Sequence, residues 1–165
     1  MQKRVLSLLV DNTAGVTTRV SGLFSRRGYN IDSITGGVTA DERFSRITVV
    51  CSGDELILEQ ITNQLAKLVD VRDIKILEPD NSECHELMMI KVAAKPEQRQ
   101  GLISIADVFH AKVADVSVDS MILEMTGNHN KLEAFLELMG DYEILELART
   151  GMTGLSRGSQ DVTYF

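Results

Sequence analysis

One short turn near the start of the chain holds the residues best suited to bind a small charged ligand. The segment Asp11-Asn12-Thr13-Ala14-Gly15 follows an apolar run and leads into a helical pattern. Asp, Asn and Thr side chains accept hydrogen bonds from the first N–H groups of a helix, so capping alone is the simplest interpretation. The same N–H groups attract a carboxylate, and a glycine lets a ligand approach the backbone closely. The two roles are compatible if Asn12 caps the helix while the N–H groups near Gly15 and Val16 meet the anion.

Two other segments contain residue types found in catalytic or metal sites, but their spacing argues against both roles. Glu83-Cys84-His85-Glu86 lies in a polar stretch without CxxC or HxxxH spacing, and in an extended chain Cys84 and His85 project to opposite sides. The glycine-rich segment over residues 151–158 lacks the spacing of a Walker-type phosphate loop. Because the three histidines are scattered along the chain, we predict no catalytic residue and no metal ligand.

Composition and charge exclude several classes of protein. The 165 residues carry a net charge of −7, which counts against nucleic-acid binding because phosphate backbones attract clustered Lys and Arg. Two cysteines, Cys51 and Cys84, are too few for the disulfide framework of a secreted protein. The apolar run over residues 5–10 is too short for a signal peptide, and no stretch approaches the roughly 20 apolar residues of a membrane span. We therefore expect a cytoplasmic protein with no nucleic-acid or membrane partner.

The hydrophobic pattern around the turn predicts the order strand, helix, strand, strand, helix, strand. Val16, Val20, Leu23 and Phe24 fall on one helical face, and Gly28 stands where a helix C-cap favours glycine. Short apolar or alternating runs on either side predict strands. The predicted elements of this first half are strands over residues 5–10, 31–38, 47–51 and 71–77, and helices over residues 16–27 and 54–68.

The same order of elements begins again after a polar break at residues 78–83. Strands are predicted over residues 87–93, 112–118, 121–125 and 144–148, and helices over residues 96–109 and 132–139. A period of about 80 residues is too long for solenoid repeats and fits two small domains. We therefore predict an α+β fold of two ferredoxin-like βαββαβ domains with antiparallel sheets.

The polar break also sets the predicted domain boundaries. We place an N-terminal domain at residues 1–78, a linker at 79–86, a C-terminal domain at 87–150 and a loosely held tail at 151–165. A βαββαβ unit has helices on one sheet face only, and a core of about 80 residues is marginal. We therefore expect the chain to pair with itself, as a homodimer or larger assembly.

Three stretches carry a resemblance to a known family: RVLSLLVDNTAGVTTRVSGLFSRRGYNIDSI, EQITNQLAKLVDV and ELARTGMTGLSRG. The first, with Asp11, Asn12 and Gly15 between strand and helix, resembles the ACT domain, a βαββαβ module that senses amino acids. All three together, in this order, resemble the small regulatory subunit of acetohydroxyacid (acetolactate) synthase over essentially the whole chain.

The resemblance implies a function in branched-chain amino acid biosynthesis without catalysis by this chain. Thiamine diphosphate, magnesium and FAD are then expected in a separate large catalytic subunit, which is a thiamine-diphosphate-dependent transferase, and no cofactor is expected in this chain. The small subunit enhances activity and mediates feedback inhibition, usually by valine bound at the ACT dimer interface. Matched by motif, the effector-binding residues are Asn12, Gly15 and Val16 of one chain and Asn30 and Ile31 of the other.

Two alternatives belong to other functional classes. A stand-alone ACT-type regulator of another enzyme fits the same turn, although no basic helix-turn-helix segment supports direct control of DNA. A small hydrolase like acylphosphatase shares the βαββαβ order, but the turn has no arginine in its cradle. Turnover of an acyl phosphate by the purified chain distinguishes that alternative.

Overall fold

The computed structural model describes residues 1–160, so the last five residues of the predicted tail lie outside the described part. The chain forms two compact units, one made of Met1–Glu83 with the chain from Gly151 onward and one made of Cys84–Thr150. Each unit has an antiparallel sheet and two α-helices in βαββαβ order. The predicted α+β, ferredoxin-like fold is confirmed.

The first unit contains four strands and two helices. They are β1 (Gln2–Asp11), α1 (Val16–Arg27), β2 (Ile31–Val38), β3 (Phe44–Gly53), α2 (Glu55–Ala66) and β4 (Val71–Ile76). The sheet order is β2-β3-β1-β4, so β1 and β3 lie inside the sheet and β2 is an edge strand. This position leaves one backbone edge of β2 without a partner strand among the described residues.

Helix α1 buries the face that the sequence predicts. Val16, Val20, Leu23 and Phe24 are each at most 5% exposed and pack on one face of the sheet. Gly28 ends the helix with φ of 70°, and its N–H group bonds back to helix carbonyls, as expected for a glycine C-cap. The helix start, by contrast, has Gly15 as its N-cap residue.

The second unit repeats the arrangement with its own core. Its elements are β5 (Ser82–Ala93), α3 (Arg99–Val108), β6 (Lys112–Val116), β7 (Ser120–Gly127), α4 (His129–Leu138) and β8 (Ile144–Arg149). The strand order is β6-β7-β5-β8. Phe135 is fully buried and meets Phe109 edge to face at 5.4 Å between ring centroids, which gives this largely aliphatic core an aromatic centre.

The segment predicted as a linker, residues 79–86, has regular structure instead. Pro79–Asn81 form one 3₁₀ turn and β5 begins at Ser82. The Ser82 hydroxyl donates to the Glu78 carbonyl over 2.6 Å, which fixes the turn directly before the strand. Residues 82–86 are polar, so their composition did not predict a strand, which depends here on pairing with neighbouring strands more than on intrinsic preference.

The glycine-rich tail also differs from the prediction over its described part. Thr153–Ser156 form a short strand, β9, that pairs with β5. The Arg157 N–H group donates to the Asn81 carbonyl over 2.9 Å, and the Arg157 side chain pairs with Glu83. Asn81 and Glu83 belong to the first unit, so the contacts of Arg157 attach the tail to that unit. Contacts of this kind produce no periodic hydrophobic pattern in the sequence, which is why the tail was predicted to be loosely held. Within residues 1–160, no helix is long and apolar enough to cross a membrane.

Candidate functional site

A cavity of about 350 Å³ lies in the first unit between the start of α1 and the edge strand β2. Its volume is at the lower end of the roughly 300–1,000 Å³ typical of small-molecule sites. The residues of the turn before α1 form one wall, and β2 with the start of β3 forms the other. We refer to it as the α1–β2 cavity.

The turn is held from the side by the connection between β2 and β3. The Asn12 N–H group donates to the Arg43 carbonyl over 2.8 Å, and the Asn12 side-chain amide donates to the Glu42 carbonyl over 2.9 Å. Ser45 Oγ donates to Asn12 Oδ1 over 3.3 Å. Asn12 therefore lines the cavity but does not cap α1, so the prediction that it caps the helix is wrong.

Gly15 brings the chain into α1 through a backbone conformation that favours glycine. Its φ is 84°, and no side chain forms a capping hydrogen bond at this helix start. The first turn of α1 also contains no acidic residue, so the positive end of the helix dipole is not neutralised there. A helix start in this state attracts an anion such as a carboxylate.

An ion pair between Arg19 on α1 and Asp70 also holds the turn in place. Arg19 Nε lies 2.5 Å from Asp70 Oδ2, and Arg19 Nη2 also donates to the Ala14 carbonyl over 3.3 Å. The hydrogen bond from the Arg19 guanidinium holds the pKa of the Asp70 carboxyl below its usual value, although burial opposes this shift. The Asp70 carbonyl in turn accepts the Asp11 N–H group at 2.9 Å.

Asp11 also lines the cavity, and its carboxylate is paired with an arginine of β4. Arg72 Nε and Nη2 donate to its two oxygens over 2.7 and 2.8 Å. A bidentate arginine satisfies both carboxylate oxygens and neutralises the charge. Asp11 therefore offers little repulsion to a ligand carboxylate at the helix start.

The rest of the cavity wall combines aliphatic and hydroxyl-bearing side chains. Val10, Val16, Ile34 and Ile47 supply aliphatic surface, while Thr13, Thr17 and Ser45 supply hydroxyl groups. Such a wall accommodates a small molecule with one polar end and a branched aliphatic end. The contribution of Ile34, Ile47 and the hydroxyl groups was not predicted from the sequence. The alternation of Ile34 with Gly36 and Val38 on one strand face was the available signal.

The structure brings together only part of the predicted effector site. Asn12 and Val16 line the cavity and Gly15 precedes Val16, but Asn30 and Ile31 are not among the lining residues. The Asn30 side-chain amide donates to Asp32 Oδ1 over 2.7 Å, and Ile31 packs against the core of the first unit. Both lie at the opposite end of β2 from Val38.

Within residues 1–160, neither a cluster of metal ligands nor an exposed Cys51 thiol is present. No group of three or more His, Cys, Asp and Glu side chains among residues 1–160 is placed to hold a metal ion. Cys51 is fully buried, and this burial raises the pKa of its thiol to about 11, which disfavours the reactive thiolate.

Both parts of the chain match described protein families. The family model described as AHAS small subunit-like ACT domain matches residues 6–73. The model described as the small subunit of acetolactate synthase matches residues 85–158.

Relatives match along nearly the whole chain. A probable acetolactate synthase small subunit from Methanothermobacter thermautotrophicus is 45% identical over 94% of this chain and 94% of its own. The acetolactate synthase small subunit from Mycolicibacterium smegmatis is 46% identical over 95% of this chain and 92% of its own. The crystal structure of the acetolactate synthase small subunit from Thermotoga maritima superposes with a TM-score of 0.89, at 36% identity, over 96% of this chain and 99% of that one. The chain therefore belongs to the family of acetolactate synthase small subunits.

Proposed function

We propose that this chain is the regulatory subunit of an acetolactate synthase, in which it enhances a catalytic large subunit and mediates feedback inhibition by valine. The observation that carries the proposal is the α1–β2 cavity, where an uncapped helix start stands beside aliphatic side chains of branched-chain size. Valine has both features that this cavity complements, a carboxylate and a branched aliphatic side chain. In this account the α-carboxylate lies near Gly15 and the side chain contacts Val16.

The separation of the predicted site residues supports a site shared between two chains. Asn30, directly before β2, and Gly37, a cavity residue within it, are seven residues apart, which at the rise of a strand is about 23 Å. One valine cannot reach both ends of the strand within a single chain. If two β2 strands pair antiparallel about an axis near Ile34, residues 30–31 of one lie beside residues 37–38 of the other.

The edge of the sheet is suited to this pairing. β2 is an edge strand, Val38 on it is 57% exposed, and an added Cβ at Gly37 meets no atom within 4 Å. Pairing of two such edges forms a homodimer with two equivalent composite sites. Asn30 and Ile31 of the second chain then complete the cavity of the first.

Regulation follows from differential binding. Valine that spans two chains favours the dimer geometry in which both halves of the site meet, and an effector shifts an equilibrium only through such a difference in affinity. The large subunit, in which we expect the thiamine diphosphate, magnesium and FAD, responds to that geometry. Its condensation of pyruvate with pyruvate or 2-ketobutyrate is then slowed in the cytoplasm when valine accumulates.

Complementation between two defective variants tests the shared site. Asn12→Ala and Asn30→Ala each remove one half of the composite site, and each alone should lose saturable valine binding in calorimetric titration. Co-expression of the two differently tagged variants yields heterodimers in which one site has both asparagines, so about a quarter of the sites should recover. Recovery contradicts a site within one chain, whereas binding that stays absent in purified heterodimers contradicts the shared site.

A further inference from the structure

The glycine-rich tail motif contacts the strand that forms one wall of the α1–β2 cavity. A Cβ built on Gly151 would lie 2.5 Å from Thr35 Oγ1, 3.0 Å from Ser33 Cβ and 3.2 Å from the Ile34 carbonyl oxygen. The Met152 N–H group lies 3.5 Å from Ser33 Oγ, as a donor at the limit of hydrogen bonding. The backbone of the tail therefore packs directly against β2.

This contact lies on the face of β2 opposite the cavity. Ile34 and Gly36 face the cavity, and because side chains alternate along a strand, Ser33 and Thr35 face the other way. Thr35 is paired across the sheet with Thr48, which is 1% exposed. Among residues 1–160, the buried Thr35 hydroxyl has no hydrogen-bond partner, and the Gly151 backbone packs directly beside it.

In the described part of the chain, strand β2 has few other contacts that hold it in place on the edge away from β3. β2 has one neighbouring strand, β3, in the described sheet, and its register against β3 shifts between Ile31 and Ser33. An edge strand with an irregular register moves more readily than a central one. Contact with Gly151 begins directly after that irregularity.

We propose that Gly151 is a positioning residue of the effector site, which acts by supporting β2 from the face opposite the α1–β2 cavity. This inference rests on the proposed function. The support sets where Ile34 and Gly36 lie, and therefore how well the cavity fits the aliphatic side chain of valine. Since linkage is reciprocal, valine in the cavity also stabilises the contact between Gly151 and β2.

Gly151→Ala tests the proposal, because its Cβ must displace β2 or the tail. Over-packing of this size is expected to lower valine affinity about tenfold. Thr35→Ala removes the atom nearest to the new Cβ and breaks no hydrogen bond of that hydroxyl, so the Thr35→Ala/Gly151→Ala double variant should regain most of the affinity. Gly140→Ala is the matched control, since a Cβ at Gly140 meets nothing within 4 Å.

Two measurements on the full chain keep this inference separate from the proposed function. Amide hydrogen exchange over residues 33–38 without effector should rise in Gly151→Ala, return in the double variant and stay unchanged in Gly140→Ala. Calorimetric titration with valine should follow the same order. Unchanged valine affinity in Gly151→Ala, or loss without recovery in the double variant, overturns the positioning role. If the unmodified chain does not bind valine, the proposed function fails. In that case amide exchange still tests the support of β2, and unchanged exchange in Gly151→Ala overturns that support.

Discussion

Replacement of Gly15 by aspartate tests where the ligand carboxylate lies. Gly15 has φ of 84° and a Cβ there would lie 2.8 Å from Arg19 Nη1, so any side chain brings backbone strain and displaces a flexible arginine end. Asparagine and aspartate tolerate this backbone region better than other residues and have the same shape. The pair Gly15→Asn and Gly15→Asp therefore shares the strain and differs only in charge.

The expected difference follows from Coulomb's law. Two like charges about 4 Å apart repel by about 1 kcal/mol in water and about 4 kcal/mol at the effective dielectric of a protein surface. The neighbouring guanidinium of Arg19 is already paired with Asp70, so it screens the new carboxylate only in part. Gly15→Asp should therefore bind valine at least about fivefold more weakly than Gly15→Asn.

Calorimetric titration of both variants with valine measures this difference directly. Circular dichroism and thermal unfolding of the two variants show whether the shared strain leaves them equally folded, and strain of this kind costs about 1–3 kcal/mol of stability. Raising the salt concentration should narrow the gap in affinity between them. Equal valine affinity in two equally folded variants would refute the placement of the ligand carboxylate near Gly15.

Two further predictions concern ionisable groups of the first unit. Asp70→Asn should lower the melting temperature at pH 7, since Arg19 lowers the pKa of the Asp70 carboxyl. Because the pKa of Asp70 is lower in the folded chain than in the unfolded chain, where it is about 3.9, the ion pair stabilises the fold above that pH. This stabilisation is lost as the pH falls below about 3.9 toward the folded pKa. The difference in melting temperature should therefore shrink in scans below about pH 4, and a difference independent of pH contradicts the ion pair. The second prediction concerns Cys51 in a Cys84→Ser variant, which leaves Cys51 as the one thiol. Because Cys51 is buried and its thiol pKa is about 11, it should react with a disulfide reagent at pH 8 only after denaturant unfolds the chain. Rapid labelling of the folded chain would contradict its burial.

The helices could be predicted because their signals are local. The apolar spacing of α1 and the C-cap Gly28 both act within a few turns of one another, and tertiary packing agrees with them. The second helix was predicted to begin at Asp54, and the Asp54 side chain caps it by accepting the Ile57 N–H group over 2.8 Å.

The elements that escaped prediction depend on contacts between distant residues. β9 forms because Thr153–Ser156 pair with β5, and no local pattern in Gly151-Met152-Thr153-Gly154 announces that partner. The start of β5 at Ser82 was missed for the same reason. Strand formation in polar segments is decided by pairing more than by intrinsic preference.

The candidate site shows the same division between local and distant determinants. The turn before α1 was predicted from residue types in sequence, and Asn12 and Val16 do line the cavity. The capping role of Asn12 is wrong, because its side chain bonds instead to Glu42, in the connection of β2 with β3, and to Ser45, on β3. Ile47 could not be predicted as a lining residue, because the sheet order decides which strands face α1.

The most direct test of the account is acetolactate formation by the catalytic large subunit of the same organism, measured alone, with this chain, and with this chain and valine. A regulatory subunit that senses valine should raise the rate, and valine should lower the rate only when this chain is present. Gly15→Asp should preserve the increase in rate but not the inhibition. A rate that the chain leaves unchanged, or inhibition by valine of the large subunit alone to the same extent, would contradict a regulatory subunit that senses valine.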